Sequence, residues 1–288
     1  MNVKKQYEVL EWAFSFLRNH NREEKVAEIL LQHHLKMSRA AFFANMREDI
    51  STAIVEQFAS DIKKHALTGV PVQHLTGYEL FYGRKYIVNE HVLIPRFETE
   101  ELVEHVISLV NKYYQGRQLF IADIGTGSGV IAITLALELP NVTVYATDIS
   151  EKALKVAKKN ANVHHASVQF LKGDFLQPVI DSSVNPQIII SNPPYISVEE
   201  RDSLADTVGE FDPDLALFAD NNGLAAYKKI ITQLKEIPPT ESRRICFEIG
   251  YTQSLAITNM LKLAFEAASV KTIKDMNGLD RIISAHIN

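Results

Sequence analysis

The stretch IADIGTGSGV, residues 121–130, decides the fold of this chain. An apolar strand pattern ends at Ile124, three glycines follow at every second position, and an apolar helical pattern begins at Val130. Glycine permits the tight turn of such a strand-to-helix junction and leaves backbone N–H groups open to a ligand. The spacing departs from the dinucleotide fingerprint G-x-G-x-x-G, because Val130 replaces its last glycine. The stretch therefore predicts an α/β sheet with a ligand-binding turn and argues against a pyrophosphate-containing cofactor.

Strand and helix patterns alternate outward from this turn. Continuous apolar strands that alternate with helices predict a parallel sheet covered on both faces. The last two strands flank NGLD, a hairpin signal that adds an antiparallel strand at the edge. The fold predicted is therefore Rossmann-like, with a mostly parallel seven-stranded sheet. The seven strand patterns are LFIADIG (119–125), VTVYATD (142–148), VQFLKGD (168–174), QIIIS (187–191), RRICFEIG (243–250), SVKTIKDM (269–276) and RIISAHI (281–287).

Before residue 70 the pattern is helical instead. Apolar residues recur at three- and four-residue spacing from Lys4 to about Thr68, which predicts a small helical bundle. Ser38 and Ser51 are candidate N-caps. Aromatic and β-branched residues around Gly83 predict a β-hairpin. We expect a helical domain at 1–70, a linker with the hairpin at 71–95, and an α/β domain at 96–288.

Three polar positions follow consecutive strands of the predicted sheet. Asp148 ends the second strand about twenty residues after Gly125, where such folds bind the hydroxyl pair of a ribose. Asp174 and Phe175 follow the third strand, where a carboxylate can accept from an adenine amino group and a ring can stack on the base. Carboxyl ends of parallel strands share one edge of the sheet. Together these positions predict a site for S-adenosyl-L-methionine.

SNPPYI, residues 191–196, follows the fourth strand at the same edge. A planar nitrogen has a delocalised lone pair and must be aimed at a methyl donor. Asn192 can accept one N–H through its side-chain oxygen, and the carbonyl of Pro193 can accept the other. Pro193 and Pro194 stiffen the segment through their fixed φ, and Tyr195 can stack on the substrate. The segment thus predicts methyl transfer to a planar nitrogen, with Asn192, Pro193 and Tyr195 as the catalytic set.

Composition sets limits on partners and location. The 288 residues carry a net charge of −5, which disfavours a protein that binds nucleic acid mainly through phosphates. We find neither a secretory leader nor about 18 uninterrupted apolar residues, so we expect a cytoplasmic protein without membrane contact. The single cysteine, Cys246, rules out a thiolate metal cluster and reads as a buried small hydrophobe. No metal site is predicted.

These motifs resemble the HemK/PrmC family, the N(5)-glutamine methyltransferases of class-I peptide chain release factors. The resemblance covers residues 71–288 densely, and the helical domain fits in size and position. The family implies a class I S-adenosyl-L-methionine-dependent fold and methylation of the glutamine in the Gly-Gly-Gln loop of a release factor. It also implies that the N-terminal domain helps to hold the release factor and that the cofactor leaves as S-adenosyl-L-homocysteine. The motifs are IPRFETEELV (94–103), DIGTGSGVIAITLA (123–136), GDF (173–175), SNPPYI (191–196), EIGYTQ (248–253) and NGLDRI (277–282).

Residue roles follow from the resemblance where this sequence matches the family pattern. We expect a monomer with no direct nucleic-acid partner. The expected cofactor-binding residues are Gly125, Thr126, Gly127, Ser128, Gly129, Asp148, Phe175 and Asn192, to which the strand-end argument adds Asp174. The expected residues for the substrate amide are Asn192, Pro193, Pro194 and Tyr195. The chain departs from the family pattern at Phe97, usually proline, and at Asp212, usually glutamate. Arg96, Glu98 and Glu248 are candidates to support the pocket, or they form structural ion pairs.

Two other functions fit parts of the pattern. A nucleic-acid amino-methyltransferase would use the same planar nitrogen on adenine or guanine, but it needs a flipped base and a basic groove. A cofactor sensor without catalysis would have no need of the segment from Asn192 to Tyr195. Labelled methyl transfer to a release factor distinguishes the three.

Overall fold

The computed structural model describes residues 4–203, 206–239 and 242–287. The chain divides into two compact units. The first comprises Met1–Tyr78 with Ala205–Phe211, and the second comprises Glu79–Leu204 with Asp212–Asn288.

The first unit is built mainly of helices, as its apolar spacing predicted. Buried side chains such as Leu30, Phe58 and Ile62 form its core. The hydroxyl groups of Ser38 and Ser51 accept hydrogen bonds from backbone N–H groups in the first turns of their helices, which confirms both predicted caps. Its N-terminal elements are β1 (Lys4–Lys5), α1 (Gln6–Asn19), α2 (Lys25–Leu35), α3 (Arg39–Ala44), β2 (Asp49–Ile50), α4 (Thr52–Thr68) and α5 (Val72–Thr76).

A two-stranded hairpin follows, as the sequence predicted. Strands β3 (Tyr78–Phe81) and β4 (Arg84–Ile87) pair with each other. Tyr82 and Gly83 connect them with φ of 50° and 72°. Two successive positive φ values define the tight turn whose twist matches that of paired strands.

The second unit contains the predicted seven-stranded sheet. Its order is β10-β11-β9-β8-β5-β6-β7, and β9, β8, β5, β6 and β7 pair in parallel. Strand β11 is antiparallel to both β10 and β9, so the antiparallel strand lies one position inside the edge. The fold prediction is confirmed. The strands are β5 (Leu119–Ile124), β6 (Val142–Asp148), β7 (Val168–Lys172), β8 (Ile188–Ser191), β9 (Arg243–Glu248), β10 (Ser269–Lys274) and β11 (Asp280–Ile287).

Helices cover both faces of this sheet, and one apolar cluster lies on each face. Cys246 is buried in one of them, as predicted. Among the described residues, no helix combines the length and apolar character needed to cross a membrane. The helices are α6 (Phe97–Tyr113), α7 (Val130–Glu138), α8 (Glu151–His164), α9 (Gln177–Asp181), α10 (Asp206–Gly209), α11 (Asp214–Leu217), α12 (Asp220–Gly223), α13 (Ala225–Leu234) and α14 (Ser254–Ala264), with a 3-10 helix at Val198–Ser203.

Candidate functional site

The glycine turn after β5 has positive φ angles, which residues with a side chain rarely adopt. Gly125, Gly127 and Gly129 have φ of 73°, 56° and 86°. A Cβ on Gly125 or Gly127 would meet no atom within 4 Å, so these glycines border open space. A Cβ on Gly129 would lie 2.9 Å from Ile133 Cδ1 and 3.1 Å from Ala157 Cβ. Gly129 therefore allows helix α8 to pack closely against the start of α7.

Asp148, at the end of β6, holds this turn with both carboxylate oxygens. Oδ2 accepts a hydrogen bond from the Gly127 N–H at 2.9 Å, and Oδ1 accepts one from the Ser150 N–H at 2.8 Å. Burial raises the pKa of Asp148, while these two hydrogen bonds act in the opposite direction. Asp148 also lines the cavity that surrounds this turn.

A second carboxylate, Asp123, supports the turn from inside the sheet. Its Oδ2 accepts from the Thr126 hydroxyl at 2.6 Å and from the Ala132 N–H at 3.2 Å. Burial raises the pKa of Asp123 to about 7, against the effect of those hydrogen bonds. The supporting role of Asp123 was not predicted, although an acidic residue two positions before Gly125 is apparent in the sequence.

Asp174 and Phe175 lie at the end of β7 and line the same cavity. Asp174 forms an ion pair with Lys229 of α13, which also lines the cavity. Gln233, one helical turn further on, donates to the Asp174 carbonyl at 3.1 Å and accepts from the Leu176 N–H at 2.9 Å. These contacts flank Phe175, which has a φ of 49°. Sequence reasoning missed Lys229 and Gln233, whose i, i+4 spacing places them on one helix face.

The segment after β8 contributes Asn192 and Pro194 to the cavity wall. Pro193 is buried, and Tyr195 is partly buried against the apolar cluster on the α13 face of the sheet. Burial raises the pKa of Tyr195 to about 12, so its hydroxyl stays protonated near neutral pH. The Tyr195 carbonyl accepts a hydrogen bond from Gln253 Nε2 at 2.9 Å. Gln253, which sequence reasoning quoted only as part of a motif, thus anchors the end of the segment.

The Asn192 amide is held by a buried pair of side chains. Asn192 Nδ2 donates to Thr99 Oγ1 at 3.1 Å, and the Thr99 hydroxyl donates to Glu248 Oε2 at 2.7 Å. Thr99 and Glu248 are 3% and 1% exposed, so bulk water does not compete for their hydrogen bonds. Burial raises the pKa of Glu248 to about 7, with Glu98 acting in the same direction and Thr99, Arg281 and Asn192 opposing it.

Arg96 and Asp212 form the ion pair that sequence reasoning left open. Arg96 Nη2 lies 2.6 Å from Asp212 Oδ2, and the Asp212 side chain is fully buried. Asp212 Oδ1 accepts from the Ile94 N–H at 3.2 Å. Asp212, although shorter than the usual glutamate, thus forms an ion pair with Arg96. Arg96 in turn lines the cavity. Phe97, the other departure from the family pattern, is 60% exposed.

A single cavity of about 410 Å³ brings most of the predicted site residues together. Among the described residues, three of the predicted site residues do not line this cavity, namely Gly129, Pro193 and Tyr195. Residues from the starts of α6 and α13 complete it, among them Thr99 and Lys229. The predicted residues that line it are Gly125, Thr126, Gly127, Ser128, Asp148, Asp174, Phe175, Asn192 and Pro194.

The two buried carboxyls make the free energy of unfolding depend on pH. Asp123 and Glu248 have pKa values of about 7 in the folded chain, against ordinary values of 3.8 and 4.5. A raised pKa means that the folded chain binds these protons more tightly. Their stabilising contribution is therefore fully present below the ordinary pKa values and is lost as pH rises through about 7.

We accordingly expect the free energy of unfolding to fall between about pH 4 and pH 7, each group contributing at most ~1.4 kcal/mol per pH unit. Glu248→Gln cannot ionise and should show a shallower slope. Urea denaturation at a series of pH values measures both slopes. Equal slopes for the variant and the natural chain would contradict the raised pKa of Glu248.

Comparisons with known proteins agree with this architecture. Family models match residues 8–77, as the PrmC N-terminal domain, and residues 101–208, as the methyltransferase small domain. A Bacillus cereus protein named release factor glutamine methyltransferase is 41% identical over 281 residues, 98% of this chain and 99% of that protein. Its namesake from Bacillus subtilis is 41% identical over 289 residues, 99% of each. The hMettl16 catalytic domain, solved with MAT2A 3'UTR hairpin 1, has a TM-score of 0.53 at 15% identity, covering 85% of this chain and 84% of that one. At that identity the likeness concerns the fold alone.

Proposed function

Because the chain belongs to the release factor glutamine methyltransferase family, we propose that it methylates the side-chain amide nitrogen of a release-factor glutamine. The acceptor is the glutamine of the Gly-Gly-Gln motif in class-I peptide chain release factors, and the methyl donor is S-adenosyl-L-methionine. The N-terminal unit, which matches the PrmC N-terminal domain, helps to hold the release factor. The protein acts in the cytoplasm as a monomer, without a membrane or direct nucleic-acid partner.

The orientation of the Asn192 amide is the observation that supports this function most directly. Its nitrogen donates to Thr99 at 3.1 Å, so its oxygen is the atom left to accept from a ligand. Asn192 also lines the cavity that contains the glycine turn. A carbonyl oxygen beside a nucleoside-type pocket suits an acceptor that carries N–H groups, as a glutamine amide does.

The cavity residues fit a nucleoside with a sulfonium side chain. Gly125 and Gly127 leave room for a ligand against the backbone, since a Cβ at either would point into open space. Asp148 provides oxygens for the ribose hydroxyl pair, and Phe175 provides a ring for the adenine. In this proposal Asp174, which pairs with Lys229, accepts from the adenine amino group. The volume of about 410 Å³ is within the usual range for such ligands. When bound, the cofactor supplies an electrophilic methyl group.

The residues of this chain orient the acceptor. Asn192 Oδ1 accepts one proton of the glutamine amide, and the Pro193 carbonyl accepts the other. No hydrogen bond among the described residues ends on that carbonyl. With both N–H bonds held, the nitrogen lone pair points toward the methyl group. The N–C bond forms as the C–S bond breaks, and one amide proton then leaves to water. Tyr195 remains protonated and so does not remove a proton, and its proposed stacking on the acceptor takes place outside the cavity wall.

Labelled methyl transfer tests this function. The protein is incubated with methyl-labelled cofactor and a class-I release factor, and peptide mass spectrometry locates the label. We expect one methyl group on the glutamine of the Gly-Gly-Gln motif and none when that glutamine is replaced by alanine. Structured RNA and duplex DNA serve as parallel acceptors. Label on a nucleobase, or no label on the release factor, would refute the proposal.

A further inference from the structure

Thr99 bridges two side chains that come from neighbouring strands. Asn192 follows β8 and Glu248 ends β9, and these strands pair with Ser191 opposite Phe247. Thr99, in the first turn of α6, lies between their side chains, 3.1 Å from Asn192 Nδ2 and 2.7 Å from Glu248 Oε2. Three segments distant along the chain thus meet in one buried chain of hydrogen bonds.

The direction of these hydrogen bonds follows from the chemistry of the three groups. An ionised carboxylate can only accept, so the one hydroxyl proton of Thr99 goes to Glu248. The Thr99 oxygen is then an acceptor on its other side. Only the NH₂ end of the Asn192 amide can donate to it. The amide oxygen of Asn192 must therefore face away from Thr99.

Two charged side chains act on the Glu248 carboxyl in opposite directions. Arg281 lowers its pKa and so favours the accepting, ionised form, whereas Glu98 raises it, and above a pH of about 7 the ionised form predominates. The Arg281 guanidinium itself lies 3.2 Å from the Asp275 carboxylate. Tyr227 donates to the backbone carbonyl of Glu248 at 2.7 Å, not to its carboxylate.

We propose that Thr99 and Glu248 are positioning residues that hold the Asn192 amide with its oxygen toward the acceptor nitrogen. This inference rests on the proposed function, since it assigns how the Asn192 oxygen is aimed. Without the pair, the amide can turn over and present an NH₂ group to a substrate that also carries NH₂. Such an arrangement places two donors against each other and leaves the acceptor nitrogen unaimed.

Two variants test the inference at about pH 8, where Glu248, with a pKa of about 7, is mostly ionised. Thr99→Val removes the bridging hydroxyl at nearly constant volume. Glu248→Gln replaces an acceptor by a group that can also donate. We expect each to lower kcat by about 10- to 100-fold and to leave the cofactor Kd, measured by calorimetry, within about threefold. Thr99→Ser keeps the hydroxyl and should restore most of the kcat lost in Thr99→Val.

Thr134→Val is the matched control for the loss of a buried threonine hydroxyl. Thr134 is fully buried, and its hydroxyl shares a hydrogen bond of 2.9 Å with the Tyr86 hydroxyl, outside the cavity wall. This variant should lose stability but keep kcat. If Thr99→Val and Glu248→Gln keep kcat within about threefold, or if Thr99→Ser is as impaired as Thr99→Val, the inference is wrong. Should Thr99→Val fail to fold, Glu248→Gln decides alone.

A measurement without any acceptor separates this inference from the proposed function. The side-chain NH₂ resonances of Asn192, assigned by their loss in Asn192→Ala, report its hydrogen bonds in NMR spectra. We expect their chemical shifts and exchange rates to change in Thr99→Val and Glu248→Gln but not in Thr134→Val. Unchanged resonances would overturn the inference even if the release factor is methylated. Absence of methylation by the natural chain would refute the function and leave this result standing.

Discussion

Asn192→Ala is expected to lower kcat for release-factor methylation by about two to four orders of magnitude. The substitution removes the oxygen that accepts one amide proton of the acceptor glutamine. It leaves the Pro193 carbonyl as the only proposed contact to that amide, so the nitrogen lone pair is no longer aimed. Single-turnover rates with a saturating release factor measure this loss directly, because they isolate the chemical step.

Cofactor affinity should change little in the same variant. Asp148, Phe175 and the glycine turn supply most of the proposed contacts to the nucleoside, and Asn192 only borders it. Calorimetry should give a cofactor Kd within about threefold of the natural chain. A thermal unfolding midpoint controls for loss of the fold. If the rate stays within about tenfold of the natural chain, Asn192 does not orient the acceptor.

The sheet edge explains why much of the site could be predicted from the sequence. Strand patterns are local, and the carboxyl ends of parallel strands must meet at one edge. The positions of Gly125, Asp148, Phe175 and Asn192 along the chain were therefore enough to predict that they share a site. Their place in one cavity follows from the strand order, in which β8, β5, β6 and β7 are consecutive neighbours.

The supporting residues could not be predicted in the same way. Thr99 and Glu248 are 149 positions apart in sequence, and Thr99 and Asn192 are 93 apart. No local pattern indicates that a threonine in the first turn of α6 faces the end of β9. The ion-pair partner of Asp174 was missed for a similar reason. In the sequence Lys229 belongs to the polar side of an ordinary amphipathic helix, and only the folded chain brings α13 beside the loop that follows β7.

The packing of Tyr195 depends on a turn that was not predicted from the sequence. Asn221, Asn222 and Gly223 all have positive φ, between 54° and 76°. Asparagine and glycine are the residues that tolerate this conformation best. The turn brings Gly223 directly against the Tyr195 carbonyl, to which Gln253 also donates. The end of the Asn192–Tyr195 segment is thus held from two sides.

Gly223→Ala should therefore destabilise the protein by about 2–5 kcal/mol. A Cβ at this position would overlap the Tyr195 carbonyl oxygen and lie 2.7 Å from Gln253 Nε2. The left-handed conformation, with φ of 76°, costs alanine ~1–2 kcal/mol, and relief of the overlap by backbone shifts adds about 1–3 kcal/mol. Urea denaturation measures the change in the free energy of unfolding.

Gly278→Ala separates the two contributions. Gly278 has a φ of 79°, close to that of Gly223, but a Cβ there would meet no atom within 4 Å. It should cost only the ~1–2 kcal/mol of the conformation itself. The difference between the variants then measures the contact with Tyr195. Because relief of that contact must move the Tyr195 carbonyl, Gly223→Ala should also lower kcat while Gly278→Ala does not. Equal losses of stability in the two variants would mean that the Tyr195 carbonyl moves aside at no cost in free energy. The contact with Gly223 would then not help to fix the Asn192–Tyr195 segment, and the prolines alone would hold it.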